Sequence, residues 1–336
     1  MITQVAAQAC SPVLRDPAKA SPGLQPQPPA ALGMCGDTYK PSSRRAAALA
    51  LVQFPLAGDA GAVNHLDGTL AATDGQRIDY RITSPAGQPK ALVIYMEGTL
   101  GKASDFDGMA GKLAASGIKS YAVTSRVAPP DHFSQHAQDL DDVIRLARRE
   151  NPGVPITVMG CSLGASIALD WGVRHRAENV PVAALAPVFW PKFLNAKEIV
   201  EVSAGDLSHR AAEARINSPM SAGVQTTTNP DAPAAHLVDP KSMTLPAGLY
   251  SQVLDMSLNL GAHARQIKGP VFIGMGGLDH VGTNPITREV GKLIGSHDKT
   301  VQTFPTAAHD LGQEFNHPEL VNALSTWVLN HAQQVQ

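Results

Sequence analysis

Short apolar runs alternate with amphipathic segments along most of the chain after residue 63. Runs of strand type lie near residues 64–72, 77–84, 90–96 and 118–124, and helical patterns lie near 105–116 and 133–149. In the second helix Leu140, Val143 and Ile144 share one face, with charged residues on the opposite face. Strands separated by crossover helices predict a mostly parallel sheet that is covered on both faces.

The same alternation continues up to residue 188 and resumes after the insertion, near the C-terminus. Val180–Val188, Gly269–Met275 and Thr300–Phe304 predict three further strands. The pattern therefore predicts an α/β fold whose core is formed by residues 63–188 and 264–336.

Residues 189–263 do not follow the alternation and are predicted to form an insertion that caps the core. Near its end, Leu249 and Val253 lie on the apolar face of a predicted helix. The polar, proline-rich stretch Ser221–Pro240 is predicted to be mobile.

The first 62 residues differ in composition from the rest of the chain. They are rich in Pro, Ala, Gln and Ser and contain few large apolar residues, so little core can form there. Arg44 and Arg45 precede a short apolar run, and Ala60–Ala62 resembles a cleavage site, as in an export signal. Gln53 and Pro55 interrupt the apolar run, so a packing helix is the alternative. Residues 1–62 are thus predicted to be a disordered or export-related leader, and the compartment stays open between the cytoplasm and export from a bacterium.

Composition excludes several classes of function. The 336 residues carry 27 Lys and Arg against 29 Asp and Glu, a net charge of −2 that argues against a nucleic-acid partner. Cys10, Cys35 and Cys161 show neither an even disulfide framework nor metal-ligand spacing, and the histidines form no H-E-x-x-H pattern. We therefore expect no metal and no cofactor. No apolar run approaches the roughly 20 residues of a membrane helix, and the sequence leaves the oligomeric state open.

The candidate chemistry begins at Pro155–Asp170, PITVMGCSLGASIALD, where Ser162 lies between Gly160 and Gly164. An apolar strand precedes this G-x-S-x-G pattern and an apolar helix face follows it. A sharp turn from strand to helix exposes a serine hydroxyl for nucleophilic attack, as in a nucleophile elbow. The alternative is a glycine-rich helix start in which Ser162 only caps the helix.

A carboxylate and a histidine follow in the order that such a serine requires. Asp279 comes just after one predicted strand, and His309 lies in the loop after the last one. The order Ser162, Asp279, His309 is that of the α/β-hydrolase sheet, in which all three residues lie at the carboxyl edge. His309 would accept the serine proton, and Asp279 would orient the imidazole ring and stabilise its charge.

Other roles for these two residues remain open at this stage. Asp279 is also suitably placed to cap a helix that starts near Pro285, and His309 also fits an ordinary surface histidine. Asp310 and His317 are alternative partners for the serine.

An oxyanion hole needs two backbone N–H groups that face the developing negative charge. One is expected from Leu163, directly after the nucleophile. The other is expected from the loop after the strand KALVIYM, where Gly98 permits a tight turn and the N–H of Thr99 is the best placed.

From about residue 66 to the C-terminus the chain resembles the monoglyceride lipase and lysophospholipase branch of the α/β-hydrolase superfamily. The segments that carry the resemblance are VIYMEGTLG, QDLDDVIRLAR, VPITVMGCSLGA, GGLDH and FPTAAHDL. The resemblance implies a nucleophile, an acid, a base and two oxyanion donors at Ser162, Asp279, His309, Thr99 and Leu163.

Two positions depart from that family. Glu97 stands where such enzymes usually have histidine, and an ionised carboxylate there would oppose an oxyanion. Glu97 is therefore turned away and hydrogen-bonded, or protonated by burial, or the sign of a different substrate. Cys161 also replaces a frequent histidine, and its thiol is expected to be inert packing beneath the elbow.

The sequence therefore predicts a serine carboxylic-ester hydrolase that forms an acyl-enzyme, with a monoacylglycerol or lysophospholipid as substrate. A thioesterase or small-ester esterase is the alternative within the class, and a catalytically weak binding protein or secreted effector is the alternative outside it. Substrate contacts are expected from the oxyanion loop and from the insertion, where the apolar residues would contact an acyl chain or, alternatively, form plain packing. These candidates are Glu97, Gly98, Trp190, Phe193, Leu249 and Val253. Peripheral membrane contact through the insertion is compatible with this prediction.

Overall fold

The computed structural model describes residues 64–99, 101–126, 134–189, 215–217, 225–236, 244–282 and 284–333. The predicted leader and two of the substrate-contact candidates, Trp190 and Phe193, lie outside the described residues. Within those ranges, no helix is both long and apolar enough to cross a membrane.

The described residues contain ten strands, eight of which form one sheet. The strands are β1 (Asn64–Ala71), β2 (Arg77–Ser84), β3 (Ala91–Met96), β4 (Ile118–Val123), β5 (Ile156–Cys161), β6 (Val182–Leu185), β7 (Arg215–Asn217), β8 (Thr244–Pro246), β9 (Val271–Gly276) and β10 (Lys299–Phe304). The large sheet has the order β1-β2-β4-β3-β5-β6-β9-β10, and β7 pairs with β8 in a separate antiparallel ribbon. Strand β2 is antiparallel to both of its neighbours, and the other five pairs are parallel.

Six α-helices are found in the described residues. They are α1 (Asp107–Ala115), α2 (Ser134–Glu150), α3 (Leu163–Arg174), α4 (Ala247–His263), α5 (Asn284–Leu293) and α6 (Pro318–Gln333). Helices α2, α3, α4 and α5 contribute to one hydrophobic cluster, and α1 and α6 contribute to the other. The predicted mostly parallel sheet with helices on both faces is confirmed.

Strand β3 shows why the central strands have continuous apolar sequences. Leu92, Ile94 and Met96 belong to one hydrophobic cluster, whereas Val93 and Tyr95 belong to the other. Successive side chains of a strand point to opposite faces, so a strand buried on both sides needs an apolar residue at every position. This packing fixes where β3 ends and places the next residues at the carboxyl edge of the sheet.

The segment expected to be mobile differs from the prediction over residues 225–236. Thr226, Thr227 and Asn229 are buried there, and a short 3₁₀ turn follows at Pro233–His236. The Thr228 hydroxyl and the Asn229 side chain are hydrogen-bonded to the loop that carries His309, so the polarity of this segment does not imply exposure.

Candidate active site

Ser162 forms a strained turn between β5 and α3. Its backbone has φ 55° and ψ −121°, a region that residues with side chains rarely occupy, and its N–H donates to the Leu185 carbonyl at 2.9 Å. A Cβ atom at Gly160 would lie 2.2 Å from the Gly164 carbonyl oxygen, and one at Gly164 would lie 2.1 Å from the Met96 carbonyl oxygen. Both glycines are therefore required by close backbone contacts.

The Ser162 hydroxyl does not cap the helix that it precedes. Ser162 is the N-terminal cap residue of α3 by position, but its side chain makes no capping hydrogen bond. Its Oγ instead lies 2.8 Å from Nε2 of His309. The nucleophile interpretation of the G-x-S-x-G pattern therefore fits the geometry, and the capping interpretation does not.

Asp279 completes the chain of hydrogen bonds. Its Oδ2 lies 2.9 Å from Nδ1 of His309, and its Oδ1 accepts hydrogen bonds from the N–H groups of Val281 at 2.8 Å and Gly282 at 2.7 Å. The two backbone bonds fix the carboxylate, which in turn orients the imidazole so that Nε2 faces the serine. Asp279 therefore does not act as the cap of α5.

The alternative partners lie elsewhere in the same loop. His317 contacts the side chains of Thr228 and Glu314, and the backbone N–H of Asp310 donates to the Thr226 carbonyl. Neither residue joins the hydrogen-bonded chain at Ser162.

Burial and pairing shift the pKa values of the two titratable groups in opposite directions. Burial favours neutral His309, but the hydrogen bond and charge of Asp279 outweigh it and raise the pKa of the imidazole. Burial likewise favours protonated Asp279, but His309 and the N–H groups of Gly282 and Val281 lower the pKa of this carboxyl. The pair can therefore stabilise a positive charge that forms on the ring when it takes the serine proton.

The loop after β3 passes directly over the serine. A Cβ atom at Gly98 would lie 3.1 Å from Cβ and 3.7 Å from Oγ of Ser162, so only glycine fits there easily. The same loop carries Thr99, and Leu163 is the first residue of α3. The first N–H groups of a helix have no partner within the helix, which leaves that of Leu163 available to an anion.

Glu97 is buried, with only 4% of its surface exposed. Its Oε2 accepts the N–H of Gly98 at 3.3 Å, whereas its Oε1 has no hydrogen-bond partner among the described residues. Burial first, and then the charges of Asp105 and Asp310, raise the pKa of this carboxyl well above its usual value. Of the three explanations for a glutamate at this loop, protonation by burial fits best.

Cys161 occupies the last position of β5, beneath the elbow. The side chain is buried, and its Sγ contacts the carbonyl oxygen of His309 at 3.8 Å. Burial raises the pKa of the thiol well above its usual value, so the sulfur stays protonated and unreactive. This agrees with the expected packing role.

The predicted substrate contacts of the insertion are only partly described. Leu249 and Val253 of α4 are buried in the same hydrophobic cluster as Leu163, and the side chain of Asn259 bonds Asp170 of α3 at 2.9 Å. Helix α4 is therefore docked against the helix that follows the nucleophile. Sequence reasoning missed two other residues near the site, Thr228 and Glu314, because neither belongs to a recognisable motif.

Comparisons with known proteins identify similar sequences and similar folds. Over 285 residues the chain is 22% identical to a monoacylglycerol lipase of Mycolicibacterium smegmatis, covering 78% of this chain and 96% of that protein. The solved monoacylglycerol lipase of Paleococcus ferrophilus superposes with a TM-score of 0.60 and 17% identity, covering 81% of this chain and 100% of that one. A thermostable carboxyl esterase of Bacillus coagulans gives a TM-score of 0.66 and 14% identity, covering 80% of this chain and 99% of that one.

The predicted resemblance to monoglyceride lipases is thus confirmed, and the solved structures support the α/β-hydrolase fold. The sequence model of the Hydrolase_4 family, described as serine aminopeptidase S33, matches residues 87–316. This match covers well over half of the chain and includes Ser162, Asp279 and His309. The chain therefore belongs to the Hydrolase_4 family of serine hydrolases.

Proposed function

We propose that the protein is a carboxylic-ester hydrolase in which Ser162 attacks the ester and forms an acyl-enzyme. One observation carries this proposal. The Ser162 hydroxyl, both ring nitrogens of His309 and the Asp279 carboxylate form one continuous chain of hydrogen bonds of 2.8 and 2.9 Å. A serine becomes a useful nucleophile when an oriented base can take its proton.

In the first half-reaction, Ser162 Oγ bonds to the carbonyl carbon of the ester while His309 Nε2 takes the hydroxyl proton. The tetrahedral intermediate then breaks its bond to the alcohol, and the imidazolium donates its proton to the leaving oxygen. In the second half-reaction a water molecule attacks the acyl carbon while His309 takes one of its protons. The bond to Ser162 Oγ then breaks, the imidazolium returns the proton to that oxygen, and the acid is released. No cofactor is needed, because every proton is returned.

The negative oxygen of the intermediate would be held by the N–H groups of Leu163 and Thr99. Gly98 supports this assignment, because its lack of a side chain allows the loop to approach the serine. A neutral Glu97 adds no negative charge next to this oxygen. Preorganised donors of this kind are worth about 10²- to 10³-fold in rate for each donor.

The proposed substrate is a medium- or long-chain acyl ester of the monoacylglycerol or lysophospholipid type. Support comes from the monoacylglycerol lipases among the similar proteins and from the apolar residues of α4 that share a hydrophobic cluster with Leu163. We propose that Leu249 and Val253 border the acyl chain and that the rest of the insertion covers it. Thioesters and small esters would use the same chemistry, so they are the alternatives within this class.

Labelling with a fluorophosphonate probe tests the mechanism. The wild type is expected to be labelled, whereas Ser162→Ala and His309→Ala are not. A wild type that binds lipid but resists the probe would show that the fold serves binding. A series of p-nitrophenyl esters then tests the substrate, and a sharp preference for acetate over decanoate would contradict the lipid assignment.

A further inference from the structure

A short segment of the insertion is built into the interior next to the His309 loop. We call Thr226–Asn229 the strap and residues 305–317 the His309 loop. Thr227 and Asn229 of the strap are completely buried. Buried polar side chains need hydrogen-bond partners: the Thr227 hydroxyl accepts the N–H of Asn229, and the Asn229 side chain is bonded to Asp231 and to Gln313 of the His309 loop.

The backbone of the strap holds the residue that follows His309. The Thr226 carbonyl accepts a hydrogen bond from the N–H of Asp310 at 2.7 Å. At the other end of the strap, Nδ2 of Asn229 donates to the carbonyl of Gln313 at 2.8 Å. The strap therefore contacts the loop both next to His309 and one turn beyond it.

Glu314 holds the residue that precedes His309. Its side chain is fully buried, and its Oε1 accepts hydrogen bonds from the N–H groups of Thr228 at 2.7 Å and Ala308 at 2.9 Å. Its Oε2 accepts the hydroxyl of Thr228 at 2.8 Å, and that hydroxyl also lies 2.8 Å from Nε2 of His317. A buried carboxylate is tolerated only with several donors, and Thr228 supplies two of them.

These bonds join parts of the chain that are far apart in sequence. The residues that bond the strap to the His309 loop are separated by 84 to 89 positions, so the insertion and the last loop of the core meet here. Ala308 and Asp310 are both fixed, and the backbone of His309 between them cannot rotate freely. The orientation of the imidazole toward Ser162 thus depends on the strap as well as on Asp279.

We propose that Thr228 and Glu314 are positioning residues for His309, so that the insertion supports proton transfer in addition to covering the substrate. This inference rests on the proposed role of His309 as the base. Because Thr228 acts on the base, its loss is expected to slow turnover of every ester by a similar factor. A segment that only contacted the acyl chain would change KM and would do so most for long chains.

The test compares Thr228→Val, which removes the hydroxyl but keeps the shape, with Thr228→Ser, which restores the hydroxyl. The matched control is Thr83→Val, because the Thr83 hydroxyl, like that of Thr228, contacts a histidine, His65, at 3.0 Å, and Thr83 is buried. Rates are measured on p-nitrophenyl acetate, butyrate and decanoate, together with the rate of fluorophosphonate labelling and the thermal unfolding of each variant.

Thr228→Val is expected to lower kcat about 10-fold on all three esters with KM within about twofold, since general-base catalysis contributes about 10²- to 10⁴-fold in full. Labelling slows in parallel. Thr228→Ser returns to within about twofold of the wild type, and Thr83→Val keeps the wild-type kcat.

Three results would overturn the inference: a wild-type kcat in folded Thr228→Val, a loss confined to decanoate, or an equal loss in Thr83→Val. If Thr228→Val does not fold, Asn229→Ser replaces it, because serine cannot reach the Gln313 carbonyl, and the same criteria apply. Failure of the proposed function itself would be distinguishable, because either the wild type would resist the probe or Ser162→Ala would still hydrolyse the esters.

Discussion

A methyl group added at Gly164 should damage both the stability and the chemistry of the enzyme. Gly164 lies in the first turn of α3, where it touches the end of β3. A Cβ atom there would lie 2.1 Å from the carbonyl oxygen of Met96 and 2.5 Å from that of Glu97. Carbon and oxygen atoms in favourable contact lie about 3.3 Å or more apart, so helix and strand would have to separate by about 1 Å.

The size of the effect follows from this geometry. Overpacking costs about 1–3 kcal/mol, and two rigid backbone atoms place Gly164→Ala near the upper end of that range. Alanine regains about 1 kcal/mol through its higher helix propensity, which leaves a net loss of about 2 kcal/mol. The displaced residues, Met96 and Glu97, directly precede Gly98 and Thr99 in the loop over the serine. A shift of about 1 Å in catalytic geometry can reduce kcat roughly 10²-fold.

Urea unfolding and p-nitrophenyl butyrate hydrolysis measure the two effects. Gly261→Ala is the matched control, because Gly261 also lies in a helix but a Cβ there meets nothing within 4 Å. This variant should gain up to about 1 kcal/mol with an unchanged kcat. If Gly164→Ala kept both the wild-type midpoint and the wild-type kcat, the close packing of elbow and oxyanion loop would be refuted.

Three further predictions concern titratable groups. Asp279→Asn should lower kcat by about 10³- to 10⁴-fold, because the amide cannot hold the His309 tautomer or stabilise its positive charge, and steady-state rates with circular dichroism to confirm folding check this. For the wild type, kcat/KM should rise with pH through an inflection above 6.5, since the raised pKa of His309 keeps the base protonated in acid; an inflection below 6.5 would contradict the pairing with Asp279. His136 is buried, and burial, with a smaller contribution from Arg126, lowers its pKa to about 4. The unfolded chain therefore binds a proton that the native state does not, and stability should fall by about 3 kcal/mol between pH 6.5 and 4. The urea unfolding midpoint should change less with pH across this range in His136→Leu than in the wild type.

The sequence predicts the parts of the site that depend on local pattern. Ser162 is recognisable because a glycine on each side and an apolar strand before it are all adjacent in sequence. Asp279 and His309 are found because a parallel sheet brings the ends of its strands to one edge, so that chain order is enough. The same logic predicts β3 and β5, whose every residue is buried.

Other features depend on contacts between distant residues and leave no local pattern. The strap has the composition of an exposed loop, yet Thr227 and Asn229 are buried, and Asn229 is bonded to the distant Gln313 of the His309 loop. The state of Glu97 likewise depends on burial and on the distant Asp105 and Asp310. Neither the hydrogen bonds nor the charges are visible until the chain is folded.

The raised pKa of Glu97 changes how this position should be judged in related sequences. A glutamic acid that keeps its proton is, to an approaching anion, a polar neutral group comparable to glutamine. The presence of glutamate at this position therefore does not decide whether the neighbouring backbone N–H groups can bind a negatively charged oxygen. Sequence searches that exclude chains with an acidic residue at the position of Glu97 as inactive would therefore also exclude active enzymes.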